Sequence, residues 1–184
     1  MRLRALLGAT VLVGAAVSVH ATTPTEEDRI GPFVESVDVG EWGEGRTFAS
    51  RVEDVVLAGQ VTDGDWTGTT EGTWVVVTLT AQAHLEPGTI TATLLLGDRQ
   101  FDASTRAGSS SLDGVKLSPG LAKRGELVFE VSRESLRDHG AVGRLRLSTV
   151  AFPNLDSVVE VPLDLADVDT EDLHELVAVE RTAR

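Results

Sequence analysis

The chain has 184 residues, enough for one domain with a full hydrophobic core and awkward for two. It contains no cysteine, which removes disulfides, thiolate metal sites and cysteine nucleophiles. Sixteen basic residues against 29 acidic ones give a formal charge of −13, and lysine occurs only at Lys116 and Lys123. Counterion release needs a basic face that this composition does not supply, so nucleic acid is excluded as a partner.

In chain order, Arg2 and Arg4 precede an apolar run from Ala5 to Val19. A charged start followed by an apolar stretch of this length predicts export. Cleavage after Val19-His20-Ala21 makes residues 1–21 a signal peptide. Retention makes the same segment a membrane anchor, although it is shorter than the ~20 apolar residues a spanning helix prefers. Either way the acidic remainder crosses, and the protein is anchored facing outside or secreted. The membrane is met only through this N-terminal segment. Residues 22–32, TTPTEEDRIGP, read as a short extended linker.

From 33 to 166 period-two alternation dominates. Val75, Val77, Leu79, Ala81 and Ala83 share one parity in TWVVVTLTAQA, with Trp74 on the other, partly exposed or covering a sheet end. Ile90, Ala92, Leu94 and Leu96 oppose Thr89, Thr91 and Thr93. Leu145 and Leu147 alternate with Arg144 and Arg146. Val159, Val161, Leu163 and Leu165 oppose Val158, Glu160, Pro162 and Asp164, and Pro162 places that strand at an edge or a break. Residues 33–39 and 46–57 are further strands. Gly97-Asp98 forms a two-residue hairpin turn between 89–96 and 99–104. Glu86-Pro87-Gly88-Thr89 and Ser118-Pro119-Gly120-Leu121 both fit type II turns. After the second of these, Leu127, Phe129 and Val131 enter the core while Glu126 and Glu130 stay in water. Loops run over 62–72 and 105–116. The sum is an all-β, antiparallel, two-sheet sandwich. In the acidic tail, 167–184, Thr170 with Glu171 and Asp172 caps a segment whose Leu173, Leu176, Val177 and Glu180 follow helical spacing. A short helix or a frayed end is expected there.

Chemistry is thinly signalled. A serine nucleophile needs a glycine-framed elbow, and AGSSSLDG lacks the Gly-x-Ser-x-Gly pattern. His84, His139 and His174 are tied to no serine and read as exposed loop or terminal histidines. Asp63 and Asp65, and the run Asp164, Asp167, Asp169, Glu171 and Asp172, are acid clusters without the ordered spacing of a calcium loop. Trp42, Trp66 and Trp74 read as packing residues, with a contact surface around Trp66 as the alternative. Lys123-Arg124 is a solvated loop pair, or else a dock for an acidic partner. No catalytic, cofactor or metal residue is assigned.

The stretch LSPGLAKRGELVFEV, followed by RLRLS and LDSVVEVPLDL, resembles small exported immunoglobulin-like domains of unknown function from actinobacteria and other Gram-positive bacteria. Those domains are related in shape to telokin and to a secreted mycobacterial immunoprotective antigen. TWVVVTLTAQA and LLLGDRQFDASTR resemble their earlier strands. The resemblance implies an immunoglobulin-like fold and an extracytoplasmic place, and carries no catalytic residues. The expectation is therefore a non-enzymatic module whose partner is a protein or an envelope component. The alternatives are a loop-based hydrolase using 62–72 and 105–116, and a cation- or small-ligand-binding domain.

Overall fold

Alternation gives each strand one apolar face, and two such faces must meet. The computed structural model describes residues 31–138, 142–151 and 153–183. The expected export segment, most of the linker, and His139 lie outside the described residues. The strands are β1 (Phe33–Ser36), β2 (Gly43–Glu44), β3 (Phe48–Thr62), β4 (Thr67–Ala83), β5 (Gly88–Thr89), β6 (Thr91–Leu96) and β7 (Arg99–Asp102). They continue with β8 (Lys116–Leu117), β9 (Ala122–Val131), β10 (Val142–Ser148), β11 (Ser157–Asp164), β12 (Asp169–Glu175) and β13 (Glu180–Thr182). A 3-10 segment spans Thr105–Ser110, and a short helix, α1, spans Arg133–Asp138.

Sheet A runs β1-β11-β10-β6-β7, and sheet B runs β12-β3-β4-β9-β13 with β2 added to β3. Three hairpins, β3-β4, β6-β7 and β10-β11, stay within one sheet, while β9 crosses back to pair with β4. This is an immunoglobulin-like Greek-key sandwich. Two strands are parallel: β1 on β11, and β12 on β3.

The inner faces are those that parity selects. Val75, Val77 and Leu79 meet Leu127, Phe129, Leu94, Leu96, Leu145, Leu147, Val159 and Val161, all at most 1% exposed. Turn chemistry holds at Gly97 and Gly120, which take positive φ of 55° and 71°, and Leu121 N–H donates to Ser118 O at 3.3 Å. It does not hold at Gly88. That residue lacks the positive φ of a type II turn and pairs with Leu117 in the small β5-β8 ribbon. Pro162 sits where β1 has already ended: the parallel pairing stops at Ser36–Glu160, leaving a local edge that tolerates a missing donor.

Sheet B carries a second apolar cluster on its outer face: Ala58, Val61, Trp74, Val76, Ala107, Val128 and Leu176, with Trp66 against it. Trp74, expected partly exposed, is 0% exposed, because Ala107 and Leu176 lie in the same cluster on its face of the sheet. The expected 62–72 loop is mostly strand, with its tip at Asp63–Trp66. The tail is not helical. Residues 169–175 pair with Val56–Thr62, because the free edge of β3 offers backbone partners that a short isolated helix cannot match. Lys123 and Arg124 belong to β9 rather than to a loop.

Candidate functional site

The tail brings Glu126, the one charged residue among the buried ones described, under cover. Its parity is outward, as alternation requires, but it is 2% exposed and not in water. Burying a carboxylate is costly unless each oxygen is partnered. Thr78 Oγ1 donates to Oε1 at 3.2 Å, and Val177 N–H donates to Oε2 at 2.8 Å. His174 completes the set, its Nε2 donating to Glu126 Oε1 at 3.0 Å and its Nδ1 to Glu171 Oε2 at 2.8 Å. The bond to Glu126, opposed by desolvation and helped by Glu171, raises His174 to a pKa of about 9. The imidazolium is thus a permanent clamp at neutral pH, with both nitrogens spent. A general base needs a free lone pair, and this ring has none to offer.

A second network crosses the same face. Glu53 accepts from Arg51 Nη2 at 2.9 Å, Arg124 Nε at 2.8 Å and Thr80 Oγ1 at 2.8 Å. Desolvation pushes its carboxyl up, but hydrogen bonds from Arg51, Arg124 and Thr80 outweigh it and hold the pKa at about 2. Lys123-Arg124 is therefore not a free basic pair: Arg124 is committed to Glu53 and lies 3.9 Å from Glu180.

The other candidates are scattered or consumed locally. His84 pairs with Glu44 at 3.2 Å, at the opposite end of β4 from Asp63 and Asp65. Neither His84 nor His174 is the exposed residue expected, at 25% and 15% side-chain exposure. Asp63 caps its own turn, accepting from Trp66 N–H at 2.8 Å, Asp65 N–H at 3.1 Å and Ser110 Oγ at 3.0 Å. Its carboxyl is lowered by the Trp66 amide first and by Ser110 next. Ser111 donates to Glu126 O at 3.2 Å and receives Asp113 N–H. Arg106 lies over Trp66 and Trp74, 5.7 and 5.2 Å from the ring centroids, and pairs with Glu130 at 3.0 Å. Among the described residues no three of His, Asp or Glu are placed to hold a metal ion.

A cleft of about 260 Å³, smaller than others on the surface, lies on the outer face of sheet A. Thr91, Thr93 and Leu95 of β6, Arg146 and Ser148 of β10, and Val158 of β11 line it with Gln100, Pro32, Ala151 and Pro153. Arg146 donates Nε to Glu160 Oε2 at 2.7 Å, and Arg144 lies 3.9 Å from the same carboxylate. Two guanidinium groups share one carboxylate, and the Arg146 side chain stays 38% exposed. The cleft combines hydroxyl and amide groups, a partly exposed cation, and a few apolar walls. Its volume is below the roughly 300–1,000 Å³ of small-molecule pockets and suits a single side chain or chain end of a larger partner.

No protein-family model matches the chain, and no curated protein is similar to it in sequence. Among solved structures it is similar to an uncharacterised β-sandwich protein from Clostridium difficile 630, with 10% identity and a TM-score of 0.49, over 75% of this chain and 99% of that one. It is also similar to the yjhA protein from Bacillus subtilis, with 14% identity and a TM-score of 0.47, over 67% and 98% of the two chains. A conserved hypothetical protein from Bacillus anthracis gives 16% identity and a TM-score of 0.43, over 65% and 93%.

Proposed function

We propose that this chain is a non-enzymatic, extracytoplasmic immunoglobulin-like module that binds a protein or another envelope component through the outer face of sheet A. The observation that carries the binding reading is the small cleft lined by Arg146, whose side chain is 38% exposed and shares its one carboxylate, Glu160, with Arg144. A carboxylate from a partner is the group that complements such a guanidinium, by a bidentate pair. The described histidines support the non-enzymatic half of the reading, because His84 and His174 are each engaged by carboxylates. Export is part of the same reading and rests on Arg2, Arg4 and the apolar run from Ala5 to Val19. So is kinship with the small exported domains related in shape to telokin and the mycobacterial antigen, supported by the Ser118–Val131 turn and strand.

The test is affinity capture from intact envelopes. The wild-type chain recovers the same partner repeatedly. Arg146→Ala removes the guanidinium, Thr93→Trp fills the cleft, and each lowers recovery at least tenfold while melting temperature stays near wild type. Equal recovery by all three chains, or no reproducible partner for any of them, overturns the proposal.

A further inference from the structure

The two ends of the sandwich differ in what their loops present. At one end the chain enters β1 at Phe33, β4 finishes at Ala83, β9 starts at Ala122, and β10 passes to β11. Three bonds tie these loops together. Phe33 N–H donates to Asp156 O at 2.8 Å, His84 N–H to Thr47 O at 2.9 Å, and the hydroxyls of Thr47 and Thr149 lie 2.8 Å apart. From this end Phe33, Leu85, Leu121, Val150 and Leu155 project, with Leu85 89%, Phe33 69% and Leu155 57% exposed. Single exposed apolar residues are ordinary on any surface. Here five of the ten large exposed hydrophobic side chains among the described residues gather on one end. Leu155 also holds φ of 56°, the left-handed region that a leucine rarely occupies, and it is the one such non-glycine residue among those described.

Lys116 pairs across from Thr89 and Lys123 from Ala81, so both lysines of the chain flank the apolar end, where Arg46 is paired with Asp156 at 3.2 Å and Glu86 lies beside Leu85. Asp63, Asp65, Asp98 and Asp167 lie in loops of the other end, with Asp164 closing β11 and Arg99 opening β7 there. Twelve residues, 20–31, separate the apolar run Ala5–Val19 from Pro32, and twelve extended residues reach at most about 40 Å. A chain held in a membrane by that run keeps the Phe33 end within reach of the lipid headgroups.

We propose that this end of the sandwich docks on the outer lipid surface. The tips of Leu85, Leu121, Val150, Leu155 and Phe33 enter the boundary between headgroups and acyl chains, and Lys116 and Lys123 meet the phosphates. This rests on the reading that the N-terminal segment is retained as an anchor, and it adds a membrane contact beyond that segment.

The absence of cysteine makes the test direct, because one introduced thiol takes one environment-sensitive fluorophore. The full chain is reconstituted in vesicles of phosphatidylcholine and phosphatidylglycerol, with an acyl-chain nitroxide lipid as quencher. Leu85→Cys and Leu155→Cys labels shift to the blue and lose at least half their emission to the quencher, whereas an Asp65→Cys label at the far end loses none. A Leu12→Cys label reports the anchor separately. If Leu12 is quenched and Leu85 and Leu155 are not, docking is overturned and anchoring stands. If none is quenched, both fail. If the Leu85 and Leu155 labels shift without lipid quenching while the chain cross-links to itself, the surface belongs to a second copy, and the lipid proposal is wrong.

Discussion

His174 and Glu53 make the residue-level energetics pH-dependent in opposite directions. With its folded pKa raised to about 9 from 6.5, His174 contributes stability that is fully present below about pH 6.5 and is lost as pH rises through about 9. A shift of that size corresponds to about 3 kcal/mol at most. Denaturant melts between pH 6 and pH 10 are expected to show this loss. His174→Gln is expected to be less stable at pH 6 and to flatten the slope. A slope unchanged in His174→Gln would remove the clamp from the account. Glu53 has the reverse sign: lowered to about 2 from 4.5, it contributes stability above about pH 4.5 that is lost as pH falls through about 2. Glu53→Gln is expected to lose stability at neutral pH, since Arg51 and Arg124 keep their charges without their shared acceptor, and to show a shallower acid limb in the same melts.

At the scale of elements the tail is the informative case. Thr170, Glu171 and Asp172 before a Leu173–Leu176–Val177 spacing satisfy local rules for a helix start, yet the segment becomes β12 and then crosses to β13. Local spacing lost to a tertiary offer: an open edge on β3, a hole beside Trp74 and Val128 that Leu176 fills, and a buried carboxylate waiting for His174. Leu176→Ala is expected to cost about 2–4 kcal/mol, because the side chain is 6% exposed within the cluster it forms with Trp74, Val76 and Val128. Amide exchange across residues 169–175 should then accelerate more than exchange in β4 or β9. Uniform acceleration across all three strands would place the tail inside the main cooperative unit rather than on its margin.

For the whole molecule, the two sheet faces have separate roles in the proposed reading. The outer face of sheet B is closed on itself by the tail, Trp66 and Arg106, whereas the outer face of sheet A keeps the Arg146 cleft open. Binding at an exposed guanidinium is screened by salt, so recovery of an envelope partner is expected to fall several-fold between low and high ionic strength. Salt-independent recovery would place the contact on the apolar walls instead of on Arg146.

The sequence by itself determined the sandwich, the inner faces and two of its tight turns. Val75, Val77, Leu79, Leu127 and Phe129 alternate with a period that only strands use, and Gly97 and Gly120 stand where a positive φ is required. The two-sided burial of β4 and β9 was decided only in three dimensions. Parity put Trp74 and Glu126 on an outward face, correctly, but could not say that this face would be roofed. The roof comes from Ala107 and Leu176, and Glu126 meets His174 across 48 residues of sequence. Each such partner is nonlocal, and neither charge nor periodicity at Glu126 records it. The same holds for the cleft at Arg146, which exists because β6, β10 and the loop at 149–156 converge, although each reads in sequence as ordinary strand or turn. Alternation is a property of one strand and can be read from one strand. Coverage, shared carboxylates and clefts belong to sets of strands, and only the packed structure brings those sets together.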